Sequence, residues 1–335
     1  MDGPGHAADV VVVGSFVQDL AFYATTFPRP GESRIGRFVP GPGGKGFNQA
    51  IASHRLGATT LFVGAVGDDA FAREAEAFAS SEGLRTALVV CEGRRSGVSS
   101  ITIDDTAQNM IVVDLGANVA LPAVEIDARA ASLEAATVVL CQAECNLEAT
   151  ARALRIARRA GAATVLNPAP INAGVDRALL ADTDILTPNE TEFAYLMEHL
   201  FGEVLPDRYW TRDPEDLHGW CARLGVPTVV VTLGEQGCFV SHHAEHGPGR
   251  GHRYLGPGVE PWAAVPAVRV DAIDTTGAGD AFSGGLAAGL VDAGTDFLAA
   301  VTFANRVAGL STTRPGTAPS MPTRTDIEAF VAARR

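Results

Sequence analysis

The sequence predicts an α/β protein: a mainly parallel sheet flanked by helices, with a small extra β-sheet beside it. Three observations carry that prediction. Short apolar runs such as residues 9–15 (DVVVVGS) recur and end in small residues, the pattern of buried parallel strands. Helical stretches such as residues 69–82 and 147–160 alternate with them, which is the βαβ order. Two half-polar pairs, 21–23 with 33–39 and 96–103 with 109–115, interrupt the order and belong outside the main sheet.

Taken in order, the first strand is followed by Asp19, near the strand edge where ligands of open α/β sheets bind. Pro28, Pro30 and Gly31 break the first hairpin. The glycine-rich stretch from Gly41 through Gly46 then opens a helix ending near Leu56. Its Gly41, Gly43 and Gly46 satisfy G-x-G-x-x-G in form, but the fingerprint needs a buried strand before it and Pro40 stands there instead. It fails as a P-loop because Gly46 follows Lys45 where Ser or Thr is required. It reads better as a backbone-rich surface, with Lys45 and Asn48 as donors, for a polyhydroxylated ligand.

Strand 61–67, helix 69–82 and strand 86–91 come next, then the second hairpin with its polar turn at 104–108. The alternation resumes with strand 137–142, helix 147–160 and strands 164–167 and 184–186. Glu144 sits just past a strand end. Asn189 and Glu192 open a helix, either as N-cap and third helical residue or as ligands. Residues 203–217, with Tyr209 and Trp210, read as an insertion loop. Strand 228–233 turns at Gly234 back into 238–241, and 242–246 (HHAEH) reads as solvated loop rather than metal site. A final helix covers 326–333. The expected organisation is one domain over residues 1–335, with the hairpins, about 17–42 and 96–116, forming a lid that closes over the site and offers a dimer surface.

The chemistry concentrates in residues 274–282 (DTTGAGDAF), between an alternating segment, 267–273, read as a strand, and a small-residue helix, 282–290. The first amides of such a helix lack partners and the dipole adds positive charge, so the turn suits an anion. Gly277 and Gly279 let the backbone approach a phosphate. Asp280 would repel that phosphate unless it accepts a proton from a neighbouring hydroxyl, which suggests phosphoryl transfer to an alcohol. The plainer alternative is a helix-capping aspartate.

Composition narrows the field. Apolar residues make up 47% and charged residues 19%, a globular balance, and the formal net charge of −13 argues against nucleic acid or anionic membrane as partner. Five scattered cysteines read as reduced, mostly buried thiols of a cytoplasmic protein, and the N-terminus has no basic leader or spanning run.

Together, residues 43–50 (GGKGFNQA), 188–192 (PNETE) and 274–280 (DTTGAGD) resemble the signatures of the ribokinase family, the PfkB-type carbohydrate kinases. The resemblance runs from Val10 to the last helix. It implies a three-layer ribokinase-like fold and an ATP-dependent sugar kinase, ribose being the first expectation for the acceptor. Asp280 would be the catalytic base, and the amides of Gly277, Ala278 and Gly279 the anion hole. Asp19, Gly44, Lys45, Asn48 and Glu144 would hold the sugar. Asn189, Thr232, Gly234 and Asn305 would hold the nucleotide, and Glu192 would organise Mg²⁺ through water. Asp274, Thr276, Ser311, Arg314, Gly316 and Ser320 would form an oxygen-only site for activating K⁺.

One departure bears on the substrate. Val17 stands where ribokinases usually carry asparagine, two residues before the sugar-binding aspartate. Deoxyribose or a nucleoside is therefore a rival acceptor, with Tyr209 and Trp210 as stacking candidates. Fructose is another, and a keto-deoxy sugar acid would require an arginine at the pocket that the sequence does not place. An oxidoreductase rests on the Gly41 to Gly46 pattern alone.

Overall fold

The computed structural model describes residues 7–106, 108–243, 260–292 and 296–334. Strand β1 (Val10–Val13) is all valine because it is central, with every side chain buried. Val10 and Val12 enter one core and Val11 and Val13 the other, the period of two expected of a strand buried on both faces. β2 (Val17–Tyr23) and β3 (Arg37–Gly43) then pair antiparallel in a second sheet. The chain returns through α1 (Lys45–Arg55), β4 (Thr60–Val66), α2 (Ala70–Glu82) and β5 (Arg85–Val90). α2 has well-formed ends: the Asp69 side chain accepts from the Ala72 amide, and Gly83 adopts the left-handed conformation at its close.

β6 (Gly97–Ile103) and β7 (Asn109–Asp114) complete the second sheet, in the order β3-β2-β6-β7. Short helices α3 (Ala123–Asp127) and α4 (Ala130–Ala135) lead to β8 (Val138–Gln142), α5 (Leu147–Ala160), β9 (Ala163–Asn167), α6 (Arg177–Ala181) and β10 (Ile185–Leu186). Then come α7 (Glu190–Phe201), α8 (Pro214–Arg223), β11 (Thr228–Thr232), β12 (Cys238–His242) and β13 (Trp262–Val265). The C-terminal part is helical: α9 (Ala278–Asp292), α10 (Phe297–Ser311) and α11 (Arg324–Ala332).

The main sheet has nine strands in the order β13-β12-β11-β10-β9-β8-β1-β4-β5; every pair is parallel except β11–β12 and β12–β13, so β12 runs against the rest. Helices α1, α9 and α10 cover one face around Phe47, Phe282 and Leu286, and α5, α7 and α8 the other around Leu154, Phe193 and Met197. Phe47 meets Phe16 and Phe62 edge-on at centroid distances of 5.4 and 5.3 Å. Burying a ring of that size contributes about 2 to 3 kcal/mol. The second sheet is much more open, and every residue of β7 is exposed.

Three expectations need correction. Residues 267–273 form no strand; the strand is β13, which ends before Pro266, and a Pro in that position cannot continue the ladder. The 203–217 segment is not simply a loop, since Asp213 caps α8 and Pro214 occupies its first turn. His242 closes β12 and His243 is buried, their rings bonding Thr228 and Ser241, so neither is solvated. Ala244, Glu245 and His246, with most of the 242–262 insertion, lie outside the described residues. Helices α3, α4 and α6 are too short to leave a clear periodic signal.

Candidate active site

The turn before α9 is left-handed at Gly277, with φ 78°. The Ala278 amide bonds the Thr275 carbonyl and the Ala281 amide that of Gly277. The amides between them belong to the first helical turn, which leaves donors directed outward. Asp280 falls in that turn and is 6% exposed.

Its position follows from helix packing. Residues 281–290 are all buried and mostly small, so α9 lies tightly against α1. At Gly284, one turn past Asp280, a Cβ would come within 2.5 Å of the Gln49 carbonyl oxygen and 2.7 Å of the Ala52 Cβ. Only glycine permits that approach, and the approach brings two amides of α1 to the carboxylate. Asn48 Nδ2 donates to Asp280 Oδ2 at 2.9 Å and Gln49 Nε2 to Oδ1 at 2.9 Å. Gln49 is itself held by Gln142, whose Nε2 donates to Gln49 Oε1 at 2.6 Å. Gln49 carried no signal of its own in the sequence, because both its partners lie far away along the chain.

A polar cleft of about 150 Å³ opens in front of the turn, lined by Asp280, Gly277, Gly279, Lys45, Asn189, Glu192 and Thr232, among others. Burial disfavours the Lys45 ammonium, but Asp280, Glu144, Glu192 and Asp19 surround it and hold its pKa above the usual lysine value. Asn189 and Glu192 do form the capping box: the Asn189 side chain accepts from the Thr191 and Glu192 amides at 2.9 and 2.8 Å, and Glu192 Oε2 accepts from the Asn189 amide at 2.9 Å. Capping and lining the cleft are thus one arrangement, not rival ones. Burial raises the Glu192 pKa, against the Asn189 amide and Lys45, which lower it.

A second hollow of about 180 Å³ lies between the small sheet and the loop after α10. Asp19, Asp274, Thr276, Gly316 and Thr317 line it. Arg37, stacked 4.7 Å over the Tyr23 ring, lines it too, and this is the arginine at a pocket that sequence did not place. Asp19 Oδ1 accepts from Ser99 at 2.6 Å and Oδ2 from Thr317 at 2.8 Å. Burial raises the Asp19 pKa while these two bonds lower it. Glu144 Oε2 accepts from Ser15 at 2.5 Å and from the Lys45 amide at 2.8 Å, and burial likewise raises its pKa.

Asp274 joins two loops, accepting from the Thr276 amide at 2.9 Å and the Gly316 amide at 3.0 Å. The Ser311 hydroxyl donates to Ala308, the Ser320 hydroxyl to the Thr317 carbonyl, and the Arg314 guanidinium to Asp326. Gly44 precedes α1 as its cap residue. Gly234 and Asn305 stand apart from the two hollows: Gly234 starts a short turn after β11, and Asn305 spends its amide on the Val265 and Pro266 carbonyls. No group of three or more metal-binding side chains occurs among the described residues.

Two readings lose their support. Tyr209 is 2% exposed, packs on Phe193, Trp210 and Trp220, and donates its hydroxyl to the Glu190 carbonyl, so it is a core residue and stacks on no ligand. Trp210 packs against the same core. The Gly41 and Gly43 pair lies on β3 of the small sheet, so no buried main-sheet strand precedes it as a dinucleotide turn requires.

Comparison with known proteins agrees in kind. The chain is 32% identical over 325 residues to the ribokinase of Haemophilus influenzae, covering 96% of this chain and 98% of that protein. It is 33% identical over 326 residues to the deoxyribokinase of Salmonella typhi, covering 96% and 97%. Its fold matches the ribokinase of Arabidopsis thaliana, solved with ribose and ATP, at a TM-score of 0.82 and 27% identity, covering 97% of this chain and 99% of that one. The sequence pattern of the pfkB family carbohydrate kinases matches residues 7–324. With the family matched along nearly the whole length and the fold alike, this chain belongs to the pfkB family of carbohydrate kinases, phosphotransferases with an alcohol acceptor.

Proposed function

We propose that this kinase passes the γ-phosphoryl group of ATP to the primary hydroxyl of D-ribose. One observation carries the reading: a carboxylate, Asp280, stands in the first turn of a core helix, gripped by Asn48 and Gln49 and facing a polar cleft that Lys45 also enters. Asp280 takes the proton of the attacking hydroxyl, and the amides of Gly277 and Gly279, with that of Ala278 once it leaves the Thr275 carbonyl, hold the charge that develops on the phosphoryl oxygens. Asp19, Gly44, Lys45, Asn48 and Glu144 orient the sugar. Asn189 and Thr232, which line the cleft, serve the nucleotide. That the similar Arabidopsis ribokinase was solved with ribose and ATP supports these two ligands.

Glu192, with one carboxylate oxygen committed to its cap, suits Mg²⁺ held through water, which would neutralise phosphate charge. Asp274, the carbonyls of Thr276, Ser311, Arg314 and Gly316, and the Ser320 hydroxyl suit a monovalent cation such as K⁺. A single carboxylate among neutral oxygens is too little charge for a divalent ion, and Asp274 already draws both loops together. The small sheet acts as the lid of a single domain. Its exposed Phe22, Phe38, Met110 and Val112 suit burial against a second copy in a homodimer. No described helix is long and apolar enough to cross a membrane, and a cytoplasmic enzyme fits the absence of disulfides among its five cysteines.

A second reading, 2-deoxyribose as acceptor, draws on Val17, a buried aliphatic side chain two residues before Asp19, and on the deoxyribokinase relative. ADP release measured over ribose, deoxyribose, fructose, adenosine, inosine and cytidine, with and without KCl, tests both. Ribose is expected to give the highest kcat/KM, and KCl to raise it. A higher value for deoxyribose moves the assignment to that sugar, and no ADP release with any sugar overturns the proposal.

A further inference from the structure

One hydroxyl joins the small sheet to the body of the enzyme. Thr317 Oγ1 lies 2.8 Å from Asp19 Oδ2 and 3.3 Å from the Pro42 carbonyl oxygen, and both acceptors belong to strands of the small sheet. A hydroxyl has one proton to donate, and the shorter, charge-assisted bond to the carboxylate is the stronger. The main chain around Thr317 is held from several sides. The preceding Gly316 amide bonds Asp274, the Thr317 carbonyl accepts from the Ser320 hydroxyl at 2.7 Å, and Arg55 Nη1 donates to the Pro319 and Met321 carbonyls at 3.0 and 2.6 Å. Thr317 is 8% exposed, so its hydroxyl has little freedom to turn elsewhere.

Asp19 is equally confined. At Gly43 on the paired strand, a Cβ would come within 2.1 Å of Asp19 Oδ2, so the carboxylate lies flat over a glycine. A carboxylate offers about four lone-pair sites. Ser99 takes one on Oδ1 and Thr317 one on Oδ2, which leaves one on each oxygen, the arrangement suited to a pair of adjacent hydroxyls. Both bonds also favour the ionised form of a group whose burial works against ionisation.

We propose that Thr317 is a positioning residue for the acceptor: its hydroxyl sets the rotamer of Asp19, so acceptor affinity depends on it while the chemical step does not. The proposal rests on the reading of Asp19 as a sugar ligand. Thr317 does not bond Asp280 and does not line the cleft in front of the glycine turn, so its loss weakens ground state and transition state alike. Thr317 reaches no reacting atom; it acts through Asp19.

The test compares Thr317→Val, which keeps the volume and removes the hydroxyl, with Thr317→Ser, which keeps the hydroxyl. In steady-state assays with the preferred sugar, Thr317→Val is expected to raise the sugar KM about tenfold, or about 1.4 kcal/mol for one hydrogen bond to a charged group. Its kcat and its KM for ATP should stay within about twofold, and Thr317→Ser should restore the sugar KM. An unchanged sugar KM in Thr317→Val overturns the proposal, as does an equal fall in kcat or a serine variant that fails to rescue. If the valine variant does not fold, as judged by its melting curve, the alanine and serine variants make the same comparison. A wild-type enzyme inactive on every sugar sinks the functional reading itself, whereas an active wild type with an indifferent Thr317→Val sinks only this inference.

Discussion

The two sides of the proposed active site are built differently. On the phosphoryl side, Asp280 stands on α9, whose next ten residues are all buried, and Asn48 and Gln49 reach it from α1, buried in the same core. On the acceptor side, Asp19 hangs from a four-stranded sheet with an edge strand exposed at every residue, and it is steadied by a few hydroxyls. Reaction geometry tolerates errors well below an ångström, and a packed helix pair supplies that rigidity. Sugar recognition needs an element that moves to admit and release its ligand, and a thinly anchored sheet supplies that.

The comparison breaks most sharply at Asp280. Asp280→Asn should keep the fold, since an amide fits the same space, and lower kcat about 10³-fold or more. A variant retaining a tenth of wild-type turnover would remove Asp280 as the base. A smaller effect is expected where the helices touch. In Gly284→Ala the new Cβ must displace the Gln49 backbone, so destabilisation of about 1 to 3 kcal/mol should accompany a fall in kcat of roughly tenfold. Thermal melts and steady-state rates would read both, and an intact rate would show that α1 does not position the carboxylate.

The smallest effect is expected at the Arg314 and Asp326 pair, which ties the loop after α10 to α11. The Arg314 hydrogen bond holds the Asp326 carboxyl well below the usual aspartate range. A carboxyl whose folded pKa is depressed adds stability above its unfolded pKa, near 4, and loses it as pH falls below that. Asp326→Asn should thus lower Tm more at pH 7 than near pH 2, where only part of the carboxylate's contribution remains. Both side chains are partly exposed, so solvent screening should keep the loss to about 1 kcal/mol or less. Equal losses at both pH values would mean that packing, not charge, holds the loop.

Much of this was legible because backbone needs dictate residue type. A left-handed turn at a helix mouth demands glycine, and 274–280 declares it. The valine runs declared the central strands, and the half-polar hairpins declared the second sheet. Illegible were contacts between distant positions: Thr317 lies 298 residues from Asp19, and Gln49 lies 231 from Asp280. Nothing local marks a threonine that will bond a carboxylate from the other end of the chain. Residues 267–273 misled because alternation suggests a strand even where no neighbour offers a ladder. Tyr209 misled because an aromatic in an insertion resembles a ligand contact until the fold tucks it under α7 and α8.

The fit of α9 against α1 has a consequence for behaviour under heat. The reacting carboxylate is a rung of the helix pair that closes the hydrophobic interior, so it cannot drift while that interior stays solid. Any loss of turnover below the temperature at which the interior melts should therefore trace to the small sheet that carries Asp19, not to drift of Asp280.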